Sequence, residues 1–397
     1  MVKKIVLAYS GGLDTSVAIK WLAEEYSSSV ITVTVNLGQF EDLEEIGKRA
    51  YKTGAIKHYS IDALDEFSTD FIAPEIASNG LYEGKYPLAT ALARPLIAKK
   101  MVEVAKKEGA DMVAHGSTGK GNDQVRFDVT IKALAPNIKV IAPVREWDMN
   151  RSMEIEYAKK KEILVSIKKS EFSIDENLWG RSAESGRLED PMTEPPEEAF
   201  GWTKSPLDAP DKPAYIDLEF KGGLPVAMNG KAMKLSSLIT ALNRLAGEHG
   251  IGRIDHIEDR LVGIKSREVY EAPAASVILE AHRDLEKLTL PKSILNFKAI
   301  VDSTWARLIY EGLWVDPLRQ SLEAFTMSTQ RYVNGSVRIK LYKGGMRVVG
   351  RSSKNSLYLS NLATYGTGST FDQKAAIGFI EIWGLQARTA KLIMDGQ

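Results

Sequence analysis

The amino-acid sequence predicts an α/β protein in which a doubly wound, mostly parallel sheet is followed by an α+β region and a C-terminal helix. Three observations carry this. From residue 3 to about 165, strand-like apolar runs alternate with helical patterns, the signature of βαβ units with helices on both faces of a parallel sheet. The first run, Ile5-Val6-Leu7, passes at once into the glycine-bearing stretch Ala8-Tyr9-Ser10-Gly11-Gly12-Leu13-Asp14-Thr15-Ser16. Beyond about 165 the alternation stops, and hairpin signals flank two Lys-Gly-Gly turns, at 221–223 and 343–345.

In chain order, Val17, Ala18, Trp21, Leu22 and Tyr26 recur at helical spacing after the glycine turn. Val30 to Leu37 is a strand, and Leu43, Ile46, Gly47, Ala50 and Tyr51 share one helical face that Gly54 terminates. A short strand at 56–61 precedes a helix from Asp62. A further helix runs from Arg94 to Lys107 with Gly109 as its stop, then come a strand at 112–115, a helix at 123–134, a strand at 140–144 and a helix near 152–161. The stretch from Ser173 to Ser182 has neither period. Six prolines between Pro191 and Pro213 mark a long surface connection. Hairpins at 215–228 and 337–349 enclose helical patterns at about 236–248, 274–288, 298–313 and 317–332, and a last helical pattern covers 372–394. On composition alone, 252–273, rich in charges of both signs, reads as a salt-bridged loop. These patterns divide the chain at 1–165, 166–365 and 366–397.

Composition narrows the chemistry. A chain of 397 residues exceeds one compact core, and 52 basic residues balance 52 acidic ones, so no basic stripe for nucleic acid is expected. No apolar run reaches the length of a membrane span and no apolar leader precedes the first strand, so a cytoplasmic location is expected. The absence of cysteine excludes a thiol nucleophile, thiolate metal sites and persulfide carriage, and the five histidines show no paired spacing for zinc.

A strand that turns through two glycines into a helix gathers backbone N–H groups into an anion pocket, to which Ser10, Thr15 and Ser16 add hydroxyl donors. The stretch lacks the Gly-Lys-Ser/Thr of a Walker A loop and the Gly-x-Gly-x-x-Gly of a dinucleotide site. Ligands of parallel sheets sit at the carboxyl ends of the strands, where two further segments fall. One is Leu81 to Thr90, polar and aromatic. In the other, His115 to Arg126, Thr118, Asn122, Asp123 and Arg126 bring donors, an anion and a guanidinium fork to a helix start. Arg126 suits a carboxylate and Asp123 an ammonium, together an amino-acid site; a flexible loop with solvated charges and a helix cap at Asn122 accounts for Asn122 and Asp123 equally well.

Five segments, AYSGGLDTS (8–16), LYEGKYPLATALARP (81–95), HGSTGKGNDQVRF (115–127), SIDENLWGRS (173–182) and GRIDHIEDRLVGIKSREVYEAP (252–273), resemble the argininosuccinate synthase family of N-type ATP pyrophosphatases, in the family's order and across nearly the whole chain. The resemblance implies a HUP-like nucleotide-binding domain (1–165), a synthetase and multimerisation domain (166–365) and an oligomerisation helix (366–397). It implies the condensation of citrulline with aspartate at the expense of ATP, with Mg²⁺ on the phosphates, in a cytoplasmic homotetramer acting on small molecules. Residue by residue, it assigns ATP to Ala8, Tyr9, Ser10, Gly11, Gly12, Leu13, Asp14, Thr15, Ser16, Val35 and Gly116. Citrulline falls to Tyr82, Thr90, Asn122, Arg126, Ser173, Ser182, Glu258 and Tyr270, and aspartate to Thr118, Asn122 and Asp123. Asp14, as a metal ligand or orienting group, and Asp123, beside the attacking amine, are the expected catalytic pair. Val35 is bulkier than the small residue usual in the family, a change that matters little to a main-chain contact. Glutamine-dependent and tRNA-thiolating relatives of the same loop depend on cysteine chemistry, which this chain lacks. A non-catalytic nucleotide-binding module remains the alternative from another class, since it would need neither amino acid.

Overall fold

The structure, a computed structural model, describes residues 3–147, 149–163 and 171–396; the expected boundary at 165/166 lies outside them. Ile5, Val6 and Leu7 are fully buried because β1 (Lys3–Ala8) is the central strand of a sheet covered on both faces. With β2 (Ser28–Asn36), β3 (Lys57–Asp62), β4 (Met112–Ala114) and β5 (Lys139–Ile141), it forms a sheet of order β3-β2-β1-β4-β5 in which every pair is parallel. The chain steps outward in one direction from β1 to β3 and in the other from β1 through β4 to β5. The loops after β1 and β4 therefore diverge, leaving a crevice at their carboxyl ends.

Helices Leu13–Glu25, Leu43–Thr53, Ala89–Glu108, Asp123–Leu134 and Arg151–Lys160 accompany this sheet. Three details differ from expectation. The helix expected from Arg94 begins at Ala89, because Ala91, Leu92 and Leu96 are all fully buried; burial of that apolar face outweighs the break suggested by Pro95. The strand expected at 140–144 ends at Ile141, and Pro143, which has no N–H to donate, opens a short helix instead. The helix expected from Asp62 runs without a gap from Leu64 to Ala77 but takes a π turn at Phe67–Ile72.

The rest of the first compact unit, which spans Met1–Asn355, holds two antiparallel sheets. Strands β6 (Ser173–Asn177), β7 (Gly180–Glu184), β8 (Ala214–Lys221), β9 (Leu224–Met228), β10 (Lys231–Ala232), β11 (Arg253–Asp259), β12 (Lys265–Glu271), β13 (Gly335–Tyr342) and β14 (Gly345–Ser352) pair in the orders β10-β9-β8-β13-β14 and β11-β12-β7-β6. The two Lys-Gly-Gly hairpins are β8–β9 and β13–β14. Both 173–182 and 252–273 prove to be hairpins, where the sequence suggests no period and a loop. Their periodicity is hard to read because polar and charged residues dominate these strands, and few apolar side chains, Ala183 and Val269 among them, mark the face that packs on Phe172, Leu188 and Ala199. Helices Leu235–Glu248, Pro273–Thr289, Lys292–Tyr310 and Pro317–Gln330 complete the unit.

The second compact unit, Ser356–Gln397, contains short helices at Ser360–Ala363, Ala375–Trp383 and Leu385–Met394, so Gly384 divides the terminal helical pattern. Its apolar side chains face outward: Ile382 is 78% and Trp383 77% exposed. Among the described residues, no helix is long and apolar enough to cross a membrane.

Candidate active site

The β1 turn builds an anion pocket from main chain. Gly11 takes φ +77°, and a Cβ there would sit 3.2 Å from the Ile46 side chain, so the turn tolerates little but glycine. Arg49, on helix Leu43–Thr53, donates from Nη1 to the Gly11 carbonyl at 2.6 Å and draws that oxygen away from the pocket. Helix Leu13–Glu25 starts after Gly12 with no side-chain cap, which leaves its first-turn N–H groups open to an anion. The Ser10 Oγ and Thr15 Oγ1 hydroxyls lie 3.1 Å apart at the mouth. The expected third donor does not join them: Ser16 is fully buried and its hydroxyl pairs with Tyr9 Oη at 3.1 Å. Tyr9 and Ser16 thus face the core, while Ala8 ends β1 and Leu13 opens the helix.

Gly116 follows β4 on the other side of the crevice, where a Cβ would lie 2.9 Å from Thr15 Cγ2. Val35, next to last in β2, is buried and its carbonyl accepts from Gln39 Nε2 at 2.9 Å. Asp14 meets Glu154 of helix Arg151–Lys160. Burial first, and then the Asp14 carboxylate hydrogen-bonded to it, push the Glu154 carboxyl up to about 8.

From Gly116 the chain runs through Thr118 to the start of helix Asp123–Leu134, where the acid–amide–guanidinium group gathers. Asn122 does not cap this helix. Its Nδ2 donates to Tyr310 Oη at 2.8 Å, and its Oδ1 accepts from the Leu261 N–H at 2.9 Å. Asp123 is held by two guanidinium groups, Arg94 Nε on Oδ2 at 2.8 Å and Arg126 Nη1 on Oδ1 at 2.9 Å. Burial alone would raise its pKa, but Arg94 and Arg126 outweigh burial and hold the carboxyl below its ordinary value. Arg94 also pairs with Asp175 on β6.

One face of the β11-β12-β7-β6 sheet supplies the other wall. Ser182 pairs in register with Tyr270 on one side and Asp175 on the other, and Ser173 lies two residues from Asp175, so all four share a face. Glu258 is four residues along β11 from Ile254, the partner of Tyr270, and falls on the same face. Tyr270 Oη donates to Glu258 Oε2 at 2.6 Å and Tyr310 Oη donates to Oε1 at 2.7 Å. The Tyr270 ring stacks on Tyr86, whose hydroxyl pairs with Thr90 Oγ1 at 2.7 Å. The Tyr82 ring stacks on Tyr310, and its hydroxyl donates to the Asp259 carbonyl at 2.9 Å.

The structure thus brings Tyr82, Thr90, Asn122, Asp123, Arg126, Ser182, Glu258 and Tyr270 together through direct or shared contacts. Ser173 lies at the exposed start of an edge strand, tied to the group by register alone. Arg94, Asp175, Tyr86 and Tyr310 belong to the same cluster and are absent from the sequence-based set. Three of them lie inside the quoted segments, and Tyr310 ends a helix that carries no motif. Among the described residues, no three His, Asp or Glu side chains form a metal cage.

Two family models cover this chain: the arginosuccinate synthase N-terminal HUP domain matches residues 4–164, and the arginosuccinate synthase C-terminal domain matches residues 172–390. The chain is 58% identical to an argininosuccinate synthase of Pyrococcus furiosus over 99% of its own length and 95% of that protein. It is also 58% identical to one of Pyrobaculum aerophilum, over 98% of each chain. To one of Brevibacillus brevis it is 55% identical, over 99% of its own length and 94% of that protein.

Proposed function

The chain belongs to the argininosuccinate synthase family, and from that premise we propose how its site divides the labour among ATP, citrulline and aspartate. The activity is that of a C–N ligase: ATP-dependent condensation of L-citrulline with L-aspartate to argininosuccinate, AMP and pyrophosphate through a citrulline adenylate, in arginine biosynthesis. The observation that carries the division is one short loop. Its Gly116 end packs on Thr15 of the anion pocket, and its Asn122 end is hydrogen-bonded to Tyr310 and so to Glu258.

ATP takes the crevice, with its β and γ phosphates in the Ser10–Ser16 turn and the rest against the main chain of Val35 and Gly116. Citrulline needs an anion for its ammonium, a cation for its carboxylate and neutral polar groups for its urea; Glu258, Arg126, and the hydroxyls and amide of Ser182, Ser173, Thr90, Tyr82 and Asn122 are of those kinds. The ureido oxygen attacks the α-phosphorus, forming the O–P bond as the bond to pyrophosphate breaks. The aspartate amine then attacks the ureido carbon and AMP leaves with the C–O electron pair. Such transfers depend on positioning and charge neutralisation and need no protein nucleophile. Thr118, Asn122 and Asp123 hold the aspartate amine. Because two guanidinium groups already occupy its oxygens, Asp123 orients that amine rather than taking its proton.

A helix N-terminus contributes about 0.3–2 kcal/mol to an anion, too little for a leaving pyrophosphate, so Mg²⁺ accompanies the phosphates. Magnesium is commonly held by one or two carboxylates together with phosphates and water, which Asp14 and Glu154 fit. Asp14 would hold it, and the ion would supply charge neutralisation. We further place the chain in the cytoplasm as a homotetramer. The test is to incubate the protein with ATP, citrulline and aspartate and measure phosphate products. Citrulline-dependent pyrophosphate is expected; orthophosphate, or pyrophosphate release indifferent to citrulline, overturns the reading.

A further inference from the structure

Tyr310 lies at the centre of the substrate cluster, although its chain neighbours carry no recognisable motif. Its side chain is 1% exposed. A carboxylate cannot donate, so the phenolic proton goes to Glu258 Oε1, and the phenol oxygen accepts from Asn122 Nδ2. That polarity fixes the Asn122 amide, because a flipped amide would set its NH₂ against the Leu261 N–H, donor facing donor. Burial and the nearby Glu258 raise the Tyr310 hydroxyl above its ordinary pKa, which keeps the bridging proton in place.

The main chain of the same residue acts on Arg126. Tyr310 ends its helix, so its carbonyl is one of those a helix cannot satisfy internally. Arg126 Nε and Nη2 donate to it at 3.1 and 2.9 Å, and the guanidinium carbon lies 5.0 Å from the ring centroid. Gly312, at φ +77°, turns the chain away against Arg126; a Cβ there would lie 3.0 Å from Arg126 Cα.

We propose that Tyr310 is a positioning residue of the ligase reaction: its hydroxyl sets Asn122 and Glu258, and its carbonyl and ring set Arg126, so one residue aligns three groups that grip the amino acids. This rests on the assignment of those three residues to citrulline. The hydroxyl is separable from the rest by Tyr310→Phe, which keeps the carbonyl and ring and so leaves Arg126 in place. Steady-state kinetics of this variant should show citrulline KM raised about ten- to a hundred-fold, the scale of a lost hydrogen bond to a charged partner. Aspartate KM should rise with it, since Asn122 serves both substrates, while ATP KM stays unchanged. Thermal unfolding measured alongside separates a structural role. Amino-acid KM values unchanged in an active variant, whatever the melting temperature, overturn the proposal, and so does a rise in ATP KM equal to the rise for citrulline. Silence of the wild-type protein in the same assay would instead overturn the ligase reading.

Discussion

In the proposed site Asp123 carries opposite demands: it is to be negative to face an ammonium, yet it is only partly exposed, at 28% of its side chain. Arg94 and Arg126 resolve the conflict by outweighing burial, and the carboxyl titrates below its ordinary value. Two consequences can be measured. Asp123→Asn, which preserves shape, should retain citrulline-dependent exchange of pyrophosphate into ATP and lose argininosuccinate formation; loss of both in a folded protein would remove Asp123 from the second step. Because the folded pKa is depressed, its contribution to stability is present above the unfolded value of about 3.9 and is lost as pH falls through the folded one. Denaturant titrations of the wild type should therefore weaken on acidification below about pH 4, and Asp123→Asn should flatten part of that slope. At this scale the sequence offers candidates where residue type matches the expected ligand charge, as for Arg126 and Glu258, and the structure ties both to Tyr310. It was silent on Arg94 and Tyr310, whose roles come from partners 29 and 188 positions away in the chain.

Elements, unlike residues, were readable wherever one face is apolar. The parallel sheet and the β8–β9 and β13–β14 hairpins follow from their patterns. The β11-β12-β7-β6 sheet does not, because polar and charged residues dominate its strands and only a few side chains such as Ala183 and Val269 mark its apolar face. The anion pocket offers an element-level test. Gly11→Ala places a Cβ on a left-handed residue 3.2 Å from Ile46, and should cost about 1–2 kcal/mol with a lower melting temperature and weakened ATP binding. An unchanged melting temperature would mean that the turn is not held as described. Nearby, the raised Glu154 carboxyl binds its proton more tightly folded than unfolded. Its stabilisation is complete below the unfolded value and is lost as pH rises through about 8. Glu154→Gln should therefore remove a decline in stability between about pH 4.5 and 8, read by chemical denaturation at several pH values.

For the whole molecule, the second unit bears the clearest unmet requirement. Helices Ala375–Trp383 and Leu385–Met394 leave the large apolar side chains of Ile377, Phe379, Ile382, Trp383 and Ile393 open to water. If these helices are covered by other copies in a homotetramer, light scattering should give four times the chain mass. Ile382→Glu should then reduce it, and a wild-type monomer would overturn the assembly. The groups proposed for citrulline, meanwhile, come from both sequence halves, joined where Arg126 closes the end of helix Lys292–Tyr310. That closure limits how such a protein can diverge: a chimera taking residues 4–164 from one relative and 172–390 from another inherits a working site only if both parents share the Arg126–Tyr310 seam.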